Sequence, residues 1–173
     1  MRDDVVLLTF SLDQVWYGIN VHEVFEVVPL PKLTPLADAP SFVSGLFNLR
    51  GHIVTTIDLR ERLGLKRRPW NLKNAVLVIR YQEKLYGLIV DEALSLVTLP
   101  AQDMEASPDL SSLTGSLQSK FVVGVGKLEK RLIPILSLSR IFTIVEPHEL
   151  GDWQAKEPQR FDPNRRTERH SDG

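Results

Sequence analysis

Residues 17–31 read YGINVHEVFEVVPLP, and residues 86–100 read YGLIVDEALSLVTLP. At one constant offset Tyr, Gly, Val, Glu, Val, Leu and Pro recur, and most remaining pairs are apolar in both. A second match lies further along. Residues 42–63, FVSGLFNLRGHIVTTIDLRERL, align with residues 121–142, FVVGVGKLEKRLIPILSLSRIF, placing Phe42 on Phe121, Gly45 on Gly124, Leu49 on Leu128 and Leu59 on Leu138. Self-similarity of this length means two versions of one supersecondary unit. The copies differ mainly in the middle loop, which is short at 33–41 and longer, with Ser, Asp and Pro, at 101–120. Extra length of that composition marks a surface loop, where insertion costs little.

Each unit reads as strands. Residues 5–11 and 75–81 are β-branched and apolar, and each is followed by a polar turn (Asp13-Gln14, Gln82-Glu83-Lys84) and a further strand starting near Tyr17 or Tyr86, the pattern of a hairpin. Residues 53–57 and 132–136 are further strands, and Pro134 inside the latter predicts an edge strand or a bulge, because proline has no N–H to donate. Asp58 and Ser137 suit the N-caps of two short helices, and Gly64 suits the stop of the first. Short strands with frequent turns predict small barrels or a sandwich. From about Pro147 the pattern fails: residues 147–173 hold many charges and scattered apolar residues and read as a polar, flexible tail, with a short helix near 150–155 and docking of Trp153 or Phe161 as the alternatives.

The chain has 173 residues, 43% hydrophobic and 25% charged, with a net charge of −1. A chain of this length buries roughly 70% of its unfolded surface and needs no staple to make a core. The near-zero charge argues against a general nucleic-acid binder. There is no cysteine, which removes disulfides, thiolate nucleophiles and Cys-based metal sites. The apolar run 5–10 is too short for a signal peptide or a membrane span, and no later run is long enough, so a cytoplasmic protein without membrane insertion is expected.

No pattern for catalysis emerges. His22-Glu23 looks like the start of a zinc helix, but Glu26 stands where the second histidine is needed. The other histidines, 52, 148 and 170, are scattered. Ser44-Gly45 is not in a GxSxG elbow, and Gly124-x-Gly126 lacks the third glycine and the long helix of a phosphate loop. The basic cluster Arg60, Arg62, Lys66, Arg67 and Arg68 reads as a solvated helix end and linker complementing the helix dipole. Only Trp70 lies near it to stack a base, so nucleic acid is disfavoured.

Taken together the two halves resemble the CheW family of chemotaxis coupling proteins. The residues that carry the likeness are Val43-Ser-Gly-Leu-Phe-Asn-Leu-Arg-Gly to Ile53-Val, running into Ile57-Asp-Leu-Arg, with Tyr17-Gly-Ile, Val24-x-Glu26-Val, Gly87-Leu-Ile-Val-Asp and Phe121-Val-x-Gly, together spanning about 5–145. The resemblance implies an all-β fold of two intertwined five-stranded SH3-like barrels with short connecting helices. It implies one CheW-like domain over 1–146, in two subunits near 5–68 and 72–145 that exchange strands. It also implies a non-catalytic adaptor without cofactor or metal. Its partners would be the regulatory domain of a CheA-type histidine kinase and the cytoplasmic tip of methyl-accepting chemoreceptors, in arrays at the inner membrane. Glu26 and Arg50 match a family acid–base pair needed for coupling, Val24 matches a position in the receptor groove, and Asn48 and Gly51 frame the same motif. The sequence departs from the family at Thr55-Thr56-Ile57, where Pro-Val or Pro-Ile is frequent, at Ser137 in place of Asp, and at His52. Thr keeps strand capacity and Ser keeps the cap. Arg50 lies in an otherwise apolar stretch, an odd place for an idle charge.

Two other readings stay open: a regulatory barrel of kinase type serving pilus-driven or other chemosensory-like signalling, and a nucleic-acid-binding barrel. The chain begins at Met1 and has no phosphotransfer or ATP-binding sequence, so a stand-alone coupler is expected. The second copy reads Gly126-Lys-Leu-Glu where the first reads Phe47-Asn-Leu-Arg, so coupling is expected in the first half.

Overall fold

The computed structural model describes residues 3–106 and 118–143. The expectations for the tail 147–173, including the helix near 150–155, Trp153 and Phe161, and for most of the second loop fall outside these residues. The elements run β1 (Val5–Leu12), β2 (Val15–Asn20), β3 (Val24–Pro29), β4 (Val43–Leu49), β5 (His52–Asp58), α1 (Leu59–Arg62), β6 (Ala75–Tyr81), β7 (Lys84–Val90), β8 (Glu92–Leu99), β9 (Met104–Ala106), β10 (Val122–Leu128), β11 (Arg131–Leu136) and α2 (Leu138–Thr143). Short 3-10 turns lie at Val21–Glu23, Ala101–Asp103 and Gln118–Phe121.

The fold is all-β, in two sheets. One has the order β3-β6-β7-β5-β4, the other β8-β1-β2-β11-β10-β9. Each therefore contains the first hairpin of the other repeat: β6–β7 completes the sheet of β3, β4 and β5, and β1–β2 completes the sheet of β8, β10 and β11. Both sheets curl. Thr34, just after edge strand β3, exchanges backbone bonds of 2.8 Å with Leu46 on the opposite edge strand. In the second sheet the corresponding segment lengthens into β9, which pairs with β10 over Met104–Ala106, so this sheet has six strands where five are expected.

Tight turns set the registers. Leu12 faces Val15, Leu49 faces His52, and Tyr81 faces Lys84 across two-residue loops. Their central residues Asp13 and Gln14, Arg50 and Gly51, and Gln82 and Glu83 all have positive φ. That is the type I′ geometry, whose twist matches that of the strands it joins. Strand β6 is apolar at successive positions because both its faces are buried. Val76 and Val78 point into the first barrel, while Ala75, Leu77 and Ile79 point into a core shared between the sheets. Strand β1 does the same, with Leu7 in the second barrel and Leu8, Phe10 and Leu12 in the shared core. Both helices add to that shared core, through Leu59 and Leu63 and through Leu138, Ile141 and Phe142.

The helix caps are where the sequence places them. Asp58 Oδ1 accepts from the N–H of Glu61 at 3.4 Å, and Ser137 Oγ from that of Arg140 at 3.4 Å. Gly64, at φ 77, closes α1. Pro134 corrects an expectation: β11 is neither an edge strand nor bulged, the bulge being in β10 between Val122 and Gly124. The missing N–H acts instead on the neighbour β2, where parallel pairing shrinks to Ile135 with Gly18. The corresponding β5, with Thr55 at that position, pairs with β7 over Thr55–Asp58.

Gly87 in β7 shows how close the layers come. A Cβ there would lie 2.5 Å from Val76 Cγ1 and 3.2 Å from Thr56 Cγ2. Gly87→Ala is expected to cost about 1–3 kcal/mol by overpacking. Val76→Ala opens the space that methyl needs, so the double variant should be more stable than the sum of the two single losses, as measured by urea unfolding.

Candidate functional site

Strand β3 lies at the edge of the five-stranded sheet, and its ladder with β6 slips between Val24 and Glu26. Such a bulge turns a side chain out of the regular alternation. The carboxylate of Glu26 meets the guanidinium of Arg50, whose Nη2 donates to Glu26 Oε2. Arg50 is held by its own turn: it occupies the first central position of the β4–β5 loop at φ 47, ahead of Gly51 at φ 88. Asn48 Oδ1 accepts the Gly51 N–H at 2.8 Å, which locks the turn from the strand side. Because β3 and β4 are opposite edges, the pair ties one end of the curled sheet to the other.

Glu26, Arg50, Asn48 and Gly51 thus form one contiguous cluster. Val24 stands beside it on β3, opposite Ile79, half-buried against the shared core. The Arg50 side chain is 67% exposed and that of Glu26 29%. An ion pair this wet is worth about 0–1 kcal/mol, too little to be a fold determinant. Edge strand β3 also presents Phe25 and Val27 to solvent, and β5 presents Ile53. Arg80 lies over the Phe25 ring at 5.6 Å. Their exposure follows from the edge position of β3 and the outer face of β5.

The second copy keeps the backbone and loses the chemistry. Its bulge, opposite Leu8 and Phe10 of β1, carries Ser95 where the first has Glu26, and Thr9 there donates to the Ser95 carbonyl at 2.7 Å. Its turn has Glu129, again at positive φ, where the first has Arg50. Serine and glutamate at these two places form no ion pair.

The basic cluster corrects a second expectation. Arg60 is not solvated: its side chain is 5% exposed and its guanidinium lies 2.7 Å from Asp13 and 2.7 Å from Asp91. It also donates to the Lys66 carbonyl at 2.7 and 3.1 Å. Burial alone would lower its pKa, but bonds and charge from Asp13 and Asp91 outweigh that and raise it above the ordinary arginine value. Asp13 sits in the β1–β2 turn and Asp91 between β7 and β8, so Arg60 clamps the two exchanged hairpins to α1. Arg62 is buried too. Its guanidinium lies between the rings of Phe42 at 5.0 Å and Phe121 at 4.8 Å, and Nε donates to the Ile141 carbonyl at 3.0 Å. Phe42 and Phe121 are the matched residues of the two repeats, so Arg62 lies where the copies meet.

The profile described as CheW-like domain matches residues 6–146. The Chemotaxis protein CheW of Rhizobium meliloti is 28% identical over 136 residues, covering 79% of this chain and 86% of its own. Protein PilI of Pseudomonas aeruginosa is 34% identical over 152 residues, covering 82% of this chain and 78% of its own. The crystal structure of the scaffolding protein TtCheW from Thermoanaerobacter tengcongensis superimposes with a TM-score of 0.72 at 28% identity, over 83% of this chain and 91% of that one.

The two arginines give a sharp contrast. Removing Arg60 leaves two partly buried carboxylates facing one another, so Arg60→Met should lower stability by about 2–4 kcal/mol. Arg50→Met should lower it by less than about 1 kcal/mol. Urea denaturation of the two variants tests both figures.

Proposed function

Because the chain belongs to the CheW-like domain family, we propose that it is the coupling protein of a bacterial chemosensory system, joining the cytoplasmic tip of a methyl-accepting chemoreceptor to the regulatory domain of a CheA-type histidine kinase. The chain is a non-catalytic scaffold, so its work is geometric: it holds two partners at a fixed separation and orientation. The observation that carries the reading is the Glu26–Arg50 pair, an exposed and nearly stability-neutral contact built by a bulge and a strained turn in the first copy. Positive φ at a non-glycine residue has a cost, and such strain collects where a side chain must be aimed. Phe25 and Val27 are exposed on the same edge strand as Glu26, and Ile53 is exposed on β5 just after the Arg50 turn, so this edge offers both apolar and charged groups, the composition of an interface. Val24, Asn48 and Gly51 belong to the same surface. Coupling through it requires a free energy of about 1–3 kcal/mol between the two partners' sites.

The working unit is the domain 1–146, with the tail 147–173 dispensable for coupling, and it acts in the cytoplasm at receptor arrays. Among the described residues no helix is long and apolar enough to cross a membrane. The 34% identity to Protein PilI, above the 28% to the Rhizobium meliloti CheW, supports a second reading, in which the same adaptor serves a pilus-linked chemosensory pathway.

Reversing one charge should abolish coupling, and reversing both should restore part of it. Arg50→Glu should weaken capture of the kinase regulatory domain and receptor tip at least about ten-fold, a loss of about 1.4 kcal/mol. Adding Glu26→Arg should recover some of that loss, and a chain ending at Val145 should bind at full strength. A pull-down with no recovery in the double variant contradicts the paired role.

A further inference from the structure

The segment between α1 and β6 carries the most exposed apolar residue of the described chain. Leu72 is fully exposed and Trp70 is 43% exposed. Between 64 and 73 the chain has Lys66, Arg67, Arg68 and Lys73 and no acid. These charges are only lightly held: Arg67 is 67% exposed and 3.6 Å from Glu61, and Arg68 is 3.1 Å from Asp13. The result is a basic, partly aromatic surface on one flank of α1.

The described chain ends at Thr143, two residues beyond a contact with α1. The Ile141 carbonyl takes its bond from Arg62, the last residue of α1. The Trp70 side chain bonds Asp58, the residue capping the first turn of α1. That helix is four residues long, which at 1.5 Å per residue sets Asp58 and Arg62 about 6 Å apart along its axis. Beyond Thr143 the sequence takes on the opposite character. Residues 146–153 read EPHELGDW, with Glu146, Glu149 and Asp152, no lysine or arginine, and Leu150 and Trp153 as apolar anchors. Residues 144–153 reach up to about 33 Å when extended, many times what the separation requires.

We propose that residues 146–153 dock in cis on the surface formed by 66–72, acidic side chains against Lys66, Arg67 and Arg68, and Leu150 and Trp153 against Trp70 and Leu72. The segment lies almost wholly beyond the stretch matched to the family, residues 6–146, so the contact belongs to this chain and not to the shared fold. It is compatible with coupling by 1–146 alone, since the docking surface is on α1's flank and the Glu26–Arg50 cluster is on the β3 edge. Opposite charges at an exposed surface are screened by salt, so the contact weakens as ionic strength rises.

Zero-length carbodiimide cross-linking of the full chain, mixed in equal parts light and isotopically heavy, tests this directly. The expected products join Lys66 or Lys73 to Glu146, Glu149 or Asp152 within one isotopic form, with yield falling at least five-fold in high salt. Products that join light to heavy chains would assign the surface to a second copy and overturn the proposal, as would none between these segments. Amide exchange over 65–73 supplies a second readout. It should speed up at least ten-fold in the full-length Trp153→Lys variant and in a chain ending at Val145, and unchanged rates in both would overturn the proposal.

Discussion

Everything in this molecule depends on an exchange of hairpins. Hairpin β1–β2 pairs into the sheet of the second repeat, and β6–β7 into the sheet of the first. Neither repeat can close its own barrel, so neither can bury its own apolar residues. The shared core is a consequence, because the exchanged strands must be apolar on both faces: one face fills a barrel and the other meets the opposite sheet. Two buried arginines then hold the crossing in place. Arg60 gathers Asp13 and Asp91 from the two exchanged hairpins, and Arg62 stands between the matched phenylalanines of the two copies.

Local chemistry is largely legible from the residues. Repeats, hairpin turns, helix caps and the all-β class rest on signals within a few residues of each other. The parts that are not legible depend on which strand lies beside which. Arg60 and Arg62 look solvated in a run of basic residues, and the partners that compensate their burial, among them Asp13, Asp91, Phe42, Phe121 and the Ile141 carbonyl, are distant in sequence. Pro134 signals a missing donor correctly, but which neighbour loses the bond depends on the sheet order. The exposure of Phe25 and Val27 likewise follows from β3 being an edge strand, which depends on the sheet order. Strand exchange itself is available only through the family resemblance, because nothing within a hairpin specifies whose sheet it joins.

The two copies share backbone features and differ in the side chains they carry. Both keep the bulge, the positive-φ turn and the glycine beneath the closing strand, where a Cβ at Gly45 would lie 2.5 Å from the Thr34 carbonyl oxygen and one at Gly124 2.9 Å from that of Glu105. Those features shape the barrel. Only the first copy fills them with Glu26 and Arg50; the second has Ser95 and Glu129. The repeat thus gives two similar ends, of which only the first carries an acid–base pair. An adaptor that must distinguish two partners benefits from that asymmetry, since identical ends would bind either partner at either site.

Reconstitution tests the coupling role most directly. Autophosphorylation of a CheA-type kinase is measured with receptor cytoplasmic fragments, with this protein, and with both together. Kinase output is predicted to respond to the receptor only when this protein is present, and the three are predicted to co-elute as one complex. A kinase that responds equally well to the receptor without it, or a protein that joins neither partner, would contradict the coupling role.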